Sequence, residues 1–136
     1  MGVNKKRLVK EFIGLVRIDS IYKEERAIAD NIKRKLRGLC LKVLEDGAGK
    51  KIGGDTGNII ALLPGRKNIM PLLFNAHLDT HIPGENIRPK IVRNYIRSGG
   101  NTILGADDKA GVAAIMELLK VIKEEKLRHG DISVIF

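Results

Sequence analysis

Leu8, Phe12, Leu15 and Val16, and then Ile28, Ile32, Leu36 and Leu39, recur at three- and four-residue spacing, which predicts two amphipathic helices near the start of the chain. Leu41 to Asp46 alternates like a half-exposed strand, and the glycine-rich stretch Gly47 to Gly57 predicts a loop or turn. Asn58 to Leu63, closed by Pro64-Gly65, and Ile69 to Ala76 are short apolar runs bounded by turn residues, the pattern of central strands covered on both faces. Ile91 to Arg93 and Tyr95 to Arg97 flank Asn94 and predict a small meander before Gly99-Gly100 and the short run Thr102 to Leu104. From Asp107 to Lys126 the residues Ala110, Ala113, Ala114, Ile115, Met116, Leu118, Leu119, Val121 and Ile122 build a broad apolar face, so a long helix is expected to pack on a sheet. Arg128-His129-Gly130 ends it, and Ile132 to Phe136 begins another apolar strand. Helices and strands in this order make the fold class α/β.

Composition narrows the picture. The chain has 136 residues, 43% hydrophobic and 30% charged, which is one globular domain's worth of sequence with no second domain expected over residues 1–136. A domain of this size buries roughly two-thirds of its unfolded surface and needs neither a disulfide nor a structural metal to be stable. Cys40 is the single cysteine, which excludes an intramolecular disulfide and suits a reducing, cytoplasmic setting. No window approaches the roughly 20 apolar residues of a membrane span, and no apolar signal core follows the charged N-terminus, so a chain neither secreted nor spanning is expected.

The formal net charge is +9, and most of the excess lies in the first 42 residues, with twelve basic and five acidic side chains. A basic cluster could attract nucleic acid through counterion release. However, Lys5, Lys6, Lys10, Arg17, Lys33, Arg34, Lys35 and Arg37 fall largely between helical apolar positions, where a solvated helix face would place them. With Phe12, Tyr22, Phe74, Tyr95 and Phe136 as the only aromatics, no stacking platform for bases stands out, and the nucleic-acid reading is the weaker one.

Two clusters carry candidate chemistry. His77-Leu78-Asp79 follows an apolar run, and strand alternation turns His77 and Asp79 to one side with Leu78 to the other. The end of a strand in an open α/β sheet is where ligand crevices form. For a lone H-x-D the bland alternative, a hydrogen-bonded histidine beside a turn-starting aspartate, is the commoner one. The second cluster, Leu104-Gly105-Ala106-Asp107-Asp108-Lys109-Ala110-Gly111, sits at the mouth of the last helix. An aspartate caps a helix well and suits its dipole, but capping needs only one of the two, which leaves a carboxylate free for a metal. His77 and Asp107, at the ends of two rigid elements, could offer imidazole nitrogen and carboxylate oxygen to a divalent ion. The glycines here are not a phosphate cradle, because G-x-x-x-x-G-K-[ST] is absent.

The segment His77-Leu78-Asp79-Thr80, followed by Leu104 to Gly111, resembles the dinuclear-zinc peptidase family that holds peptidase T, glutamate carboxypeptidases and aminoacylases, and most resembles the peptidase T branch. The likeness extends through Thr56-Gly57-Asn58, His81-Ile82-Pro83-Gly84, Ile87 to Ile96 and His129-Gly130. It implies the N-terminal part of a zinc-exopeptidase-like catalytic domain, with a central mixed sheet flanked by helices, incomplete at the C-terminus. It also implies two zinc ions, with His77 a ligand of one, Asp107 the carboxylate bridging both, and Asp79 the group that orients or polarises His77. Asp108 would cap the helix or neighbour the ligands, Lys109 would be a structural residue of the turn, and His81 matches no ligand position.

Members of the family carry a Glu-Glu pair just after the strand that begins here at Ile132, the first as general base and the second as ligand, and the chain ends at Phe136. Glu24-Glu25 and Glu124-Glu125 lie within predicted helices and do not replace that pair. The implied function is metal-dependent hydrolysis of short peptides, aminopeptidase- or tripeptidase-like, with this chain alone catalytically incomplete and binding zinc weakly or not at all. A truncated, non-catalytic binding protein is the alternative, and a basic nucleic-acid module a further one. Exposed apolar surface is expected around Ile132 to Phe136, and with it self-association.

Overall fold

The computed structural model describes residues 2–136. Helix α1 (Lys5–Val16) opens with Asn4, whose side chain accepts a hydrogen bond from the Arg7 N–H, and buries Phe12, Leu15 and Val16. Helix α2 (Arg26–Gly38) buries Ile28, Ala29, Ile32 and Leu36, the stripe its spacing predicts. The chain continues through β1 (Lys42–Glu45), α3 (Ala48–Ile52), β2 (Ile59–Leu63), β3 (Leu72–Asn75), β4 (Pro89–Val92), β5 (Tyr95–Ser98), α4 (Ala106–Glu124) and β6 (Ile132–Ile135). No described helix is long and apolar enough to cross a membrane.

The main sheet has the order β1-β2-β6-β3, antiparallel from β1 to β6 and parallel between β6 and β3, so it is mixed. In β2 the side chains alternate, with Ile59, Ala61 and Leu63 buried and Ile60 and Leu62 half-buried. Strand β6 repeats the pattern, burying Ile132 and Val134. Register puts Ala61 beside Val134 and Val134 beside Phe74, and this row joins the buried residues of α1, α2 and α4 in one hydrophobic cluster. Helix α1 lies on α4, α2 on β1 and β2, and α4 on β3.

The helix layer is held to itself by charge as well as by apolar contact. The Arg7 guanidinium of α1 pairs with Glu117 of α4, a carboxylate only 3% exposed, at 2.7 Å, and also with Glu124. Glu11 of α1 receives Lys35 from α2 and Lys120 from α4, so one carboxylate joins all three helices.

Several expectations are corrected. Gly47 to Gly57 contains the short helix α3, because Asp46 accepts from the Ala48 N–H and Gly53, at φ +73°, closes the turn. The run Ile69 to Ala76 forms only a four-residue strand, and β3 is the edge of the sheet, with Leu72 and Leu73 exposed. Strand β6, expected to expose apolar surface, is instead interior, with Ile132, Val134 and Phe136 all buried between β2 and β3. The predicted meander is present as a separate hairpin of β4 and β5 turning at Arg93-Asn94, and the run Thr102 to Leu104 takes no regular structure. Of the basic residues placed on a solvated face, Lys33 and Lys35 are half-buried and ion-paired, to Asp30 and Glu45 and to Glu11 respectively, while the others named are exposed.

Candidate metal centre

Beyond β3 the chain stays extended, and Ala76, Leu78 and Thr80 are buried while His77 is exposed and Asp79 half-exposed. The alternation anticipated from the sequence therefore holds, and the two polar side chains stand on the open side. His77 Nδ1 lies 3.0 Å from Asp79 Oδ1 and 3.1 Å from the Asp79 carbonyl oxygen, and His77 Nε2 lies 3.2 Å from Asp107 Oδ1. One imidazole thus stands between two carboxylates from different elements. Partial burial pulls the His77 pKa down, but the Asp107 hydrogen bond and the Asp79 charge outweigh it and hold the ring above its ordinary value.

Asp107 and Asp108 begin α4 in non-helical conformations, Asp107 extended at φ −91°, ψ 107°, and the peptide bond between them is cis. The two carboxylates divide their work. Asp108 Oδ1 accepts from the Gly111 N–H at 3.1 Å, the bond of an N-cap, whereas the Asp107 side chain is 97% exposed and reaches His77. A Cβ at Gly111 would displace the Asp108 carboxylate from its capping position.

Atoms each about 2.0–2.1 Å from one zinc at a tetrahedral angle stand about 3.3 Å apart, so the separation of His77 Nε2 and Asp107 Oδ1 suits two ligands of one ion. With Nδ1 held by Asp79, Nε2 is the ring nitrogen turned to Asp107 and, once deprotonated, the one whose lone pair could bind an ion. Among the described residues no group of three or more His, Cys, Asp or Glu side chains could hold a metal ion.

A cleft of about 550 Å³ opens beside the pair, lined among others by Tyr22, Ile52, Asn58, Asn75, His77 and Phe136. His81 is exposed and is not part of its wall. Glu24 and Glu25 precede α2 instead of lying inside it, a correction to the expected helix start; Glu25 reaches the cleft wall, where its Oε1 accepts from the Lys23 N–H. Glu124 and Glu125 are spent at the other end of α4, on Arg7 and on the Gly2 N–H.

Sequence reading assigned Lys109 no more than a structural role in the turn, and its burial is the surprise. The side chain is fully buried, its Nζ donates to the Ile18 carbonyl at 2.7 Å, and desolvation lowers its pKa to about 8 against the opposing charge of Asp19. The signal was present, because Lys109 falls in helical register with buried Val112, Ala113 and Met116.

The sequence model of peptidase family M28 matches residues 58–136, which span β2 to β6 and include both site clusters. The chain belongs to this family. Peptidase T of Clostridium perfringens (strain SM101 / Type A) is 30% identical over 171 aligned residues, covering 96% of this chain and 41% of that protein. The crystal structure of aminopeptidase PepT from Bacillus cereus ATCC 10987 superposes with a TM-score of 0.94 at 42% identity, over 98% of this chain and 36% of that one. A tripeptidase from Staphylococcus aureus subsp. aureus mu50 gives a TM-score of 0.94 at 40% identity with the same coverage. The chain therefore spans somewhat over a third of the length of these relatives and has the fold of an N-terminal part of a peptidase T-like protein.

Proposed function

We propose that this chain supplies part of the catalytic centre of a metal-dependent peptidase acting on short peptides, aminopeptidase- or tripeptidase-like, and that alone it is catalytically incomplete. The observation that carries the reading is the His77 imidazole set between Asp79 and Asp107 at the rim of a cleft. The names of its relatives, an aminopeptidase and a tripeptidase, support the substrate class.

When bound, zinc supplies Lewis acidity that polarises a peptide carbonyl and makes water a nucleophile near neutral pH. His77 and Asp107 would hold the ion. Asp79 accepts the Nδ1 proton of His77, which fixes the tautomer with a lone pair on Nε2 and makes that nitrogen a better donor. Asp108 caps α4 and so keeps the exposed Asp107 at its place. Among the described residues Glu25 is the glutamate in the cleft wall, and its Oε1 accepts from the Lys23 N–H. A hydrolytic zinc centre takes three protein ligands and an open position, so a third ligand and a base would come from beyond the described residues. The lone, exposed Cys40 suits a reducing compartment, and we place the activity in the cytoplasm.

The test is a zinc titration of the chain by calorimetry together with a hydrolysis assay on di- and tripeptides. Weak binding that His77→Ala and Asp107→Ala each abolish, with no turnover, is the expected result. Zinc binding indifferent to both substitutions would overturn the metal reading, and zinc-dependent turnover lost in His77→Ala would overturn the incompleteness.

A further inference from the structure

The two halves of the candidate centre are thirty positions apart in sequence and are not neighbours in the sheet, yet both lean on the same short piece of backbone, the connection after α1. Ser20 is fully buried, and its hydroxyl donates to the Leu78 carbonyl at 2.8 Å, between His77 and Asp79. The Thr80 N–H donates to the Ser20 carbonyl at 2.8 Å, the Thr80 hydroxyl reaches the same oxygen at 3.3 Å, and Ile21 and Thr80 form an isolated parallel bridge. These contacts extend the strand direction past β3 and hold the His77 segment straight. From the other side Lys109, two residues beyond Asp107, crosses the interior to the Ile18 carbonyl. Thr80 completes the junction, because its methyl group lies against Gly105, the residue at φ +68° that opens the Asp107 turn, leaving no room for a Cβ there.

We propose that Ser20 and Lys109 are positioning residues for the metal centre, with the Ile18–Ile21 connection acting as one buttress that sets the His77–Asp107 distance. The proposal rests on the metal reading for its consequence and on the hydrogen-bond geometry for its existence. A buried lysine with a single carbonyl partner is an expensive way to fasten a helix start, since desolvating an ammonium costs far more than packing a methionine of similar length. Helix α4 is already fastened by Glu117, Lys120 and its apolar face. What Lys109 adds is a tie between this turn and the connection that also grips Leu78 and Thr80. A loosened tie on either side moves one ligand relative to the other, and metal affinity is sensitive to such shifts.

The experiment compares Ser20→Ala, Lys109→Met and, as a control on ion pairs remote from the cleft, Lys35→Met. Zinc affinity is read by competition with a chromophoric chelator, and local opening by amide hydrogen exchange. Ser20→Ala and Lys109→Met are each expected to weaken zinc binding by about 10- to 100-fold, as lost outer supports of ligands do, with Lys35→Met unchanged. Lys109→Met is also expected to speed exchange at residues 78–80 as well as 105–108, and Ser20→Ala to do the same from the opposite side. Should Lys109→Met fail to fold, Ser20→Ala, which deletes one hydroxyl, reads the same linkage. Faster exchange confined to the substituted side, or zinc affinity in both variants equal to that of Lys35→Met, overturns the proposal. If His77→Ala leaves zinc binding unchanged, the metal reading has failed, and the exchange measurement alone then decides the buttress.

Discussion

His77 Nε2 and Asp107 Oδ1 face each other at 3.2 Å across the rim of the cleft, with His77 held from behind by Asp79 and Asp107 presented by a turn that Asp108 caps. With the two carboxylates raising its pKa, the folded imidazole titrates above the unfolded value of about 6.5. The contribution to stability is therefore fully present below about pH 6.5 and is lost as pH rises through the higher folded value. Asp107→Asn should bring the His77 titration back toward its ordinary value, followed by nitrogen-15 NMR of the ring. An unchanged titration curve would contradict the contact. A metal competes for the same lone pair, so zinc affinity should fall as the pH drops below the His77 pKa.

Asp108 and Gly111 form one capping unit. Asp108→Ala should cost about 0.5–2 kcal/mol in urea unfolding, the usual loss for a removed cap. Gly111→Ala should cost a similar amount, because its new Cβ displaces the Asp108 carboxylate. The double variant should then cost less than the sum, since the second change finds the cap already gone. Full additivity would show that the two residues act independently.

Glu45 ties β1 to α2. Hydrogen bonds from Arg26 outweigh the cost of burial, and Lys33, Thr56 and the Gly57 N–H add to them, holding the carboxyl far below the usual carboxylate range. A depressed folded pKa gives stability that is present above the unfolded value of about 4.5 and lost as pH falls toward the folded one. Glu45→Gln should be less stable than the parent by about 1–3 kcal/mol at pH 7, the scale of hydrogen bonds to charged groups. The gap should narrow steadily as the pH is lowered from 4.5, and a gap independent of pH would assign the loss to packing instead of charge.

Strand β3 leaves one edge unpaired and exposes Leu72 and Leu73, while the neighbouring Met70 is 79% exposed. Edges of this kind template pairing with other chains. Any self-association of the chain is therefore expected to run through β3 and not through the buried β6. Leu73→Lys, which places a charge on the face without helices, should shift sedimentation at high concentration toward monomer. Equal association in parent and variant would remove β3 as the contact.

The helices were legible because their signal is local. Ile28, Ile32 and Leu36 recur at the helical period, and every one of them is buried. The alternation at His77-Leu78-Asp79 was equally local and placed both polar groups on one side before any tertiary contact was known. The adjacency of two aspartates at a helix mouth likewise indicated that one could cap while the other stayed free, as Asp108 and Asp107 do.

What sequence could not decide was which strand lies beside which. Ile69 to Ala76 and Ile132 to Phe136 read alike as apolar runs, yet one is an exposed edge and the other the buried centre of the sheet. Strand order comes from hydrogen bonds between segments some sixty residues apart, and composition carries no record of it. Lys109 and Ser20 show the same limit. Helical register marks the face that carries Lys109, but only the crossing of α4 over the Ile18 carbonyl and of Ser20 over Leu78 gives the polar atoms of Lys109 and Ser20 buried partners. The residues that could bind an ion were thus written locally, whereas their distance from each other was set by a loop that contributes no ligand.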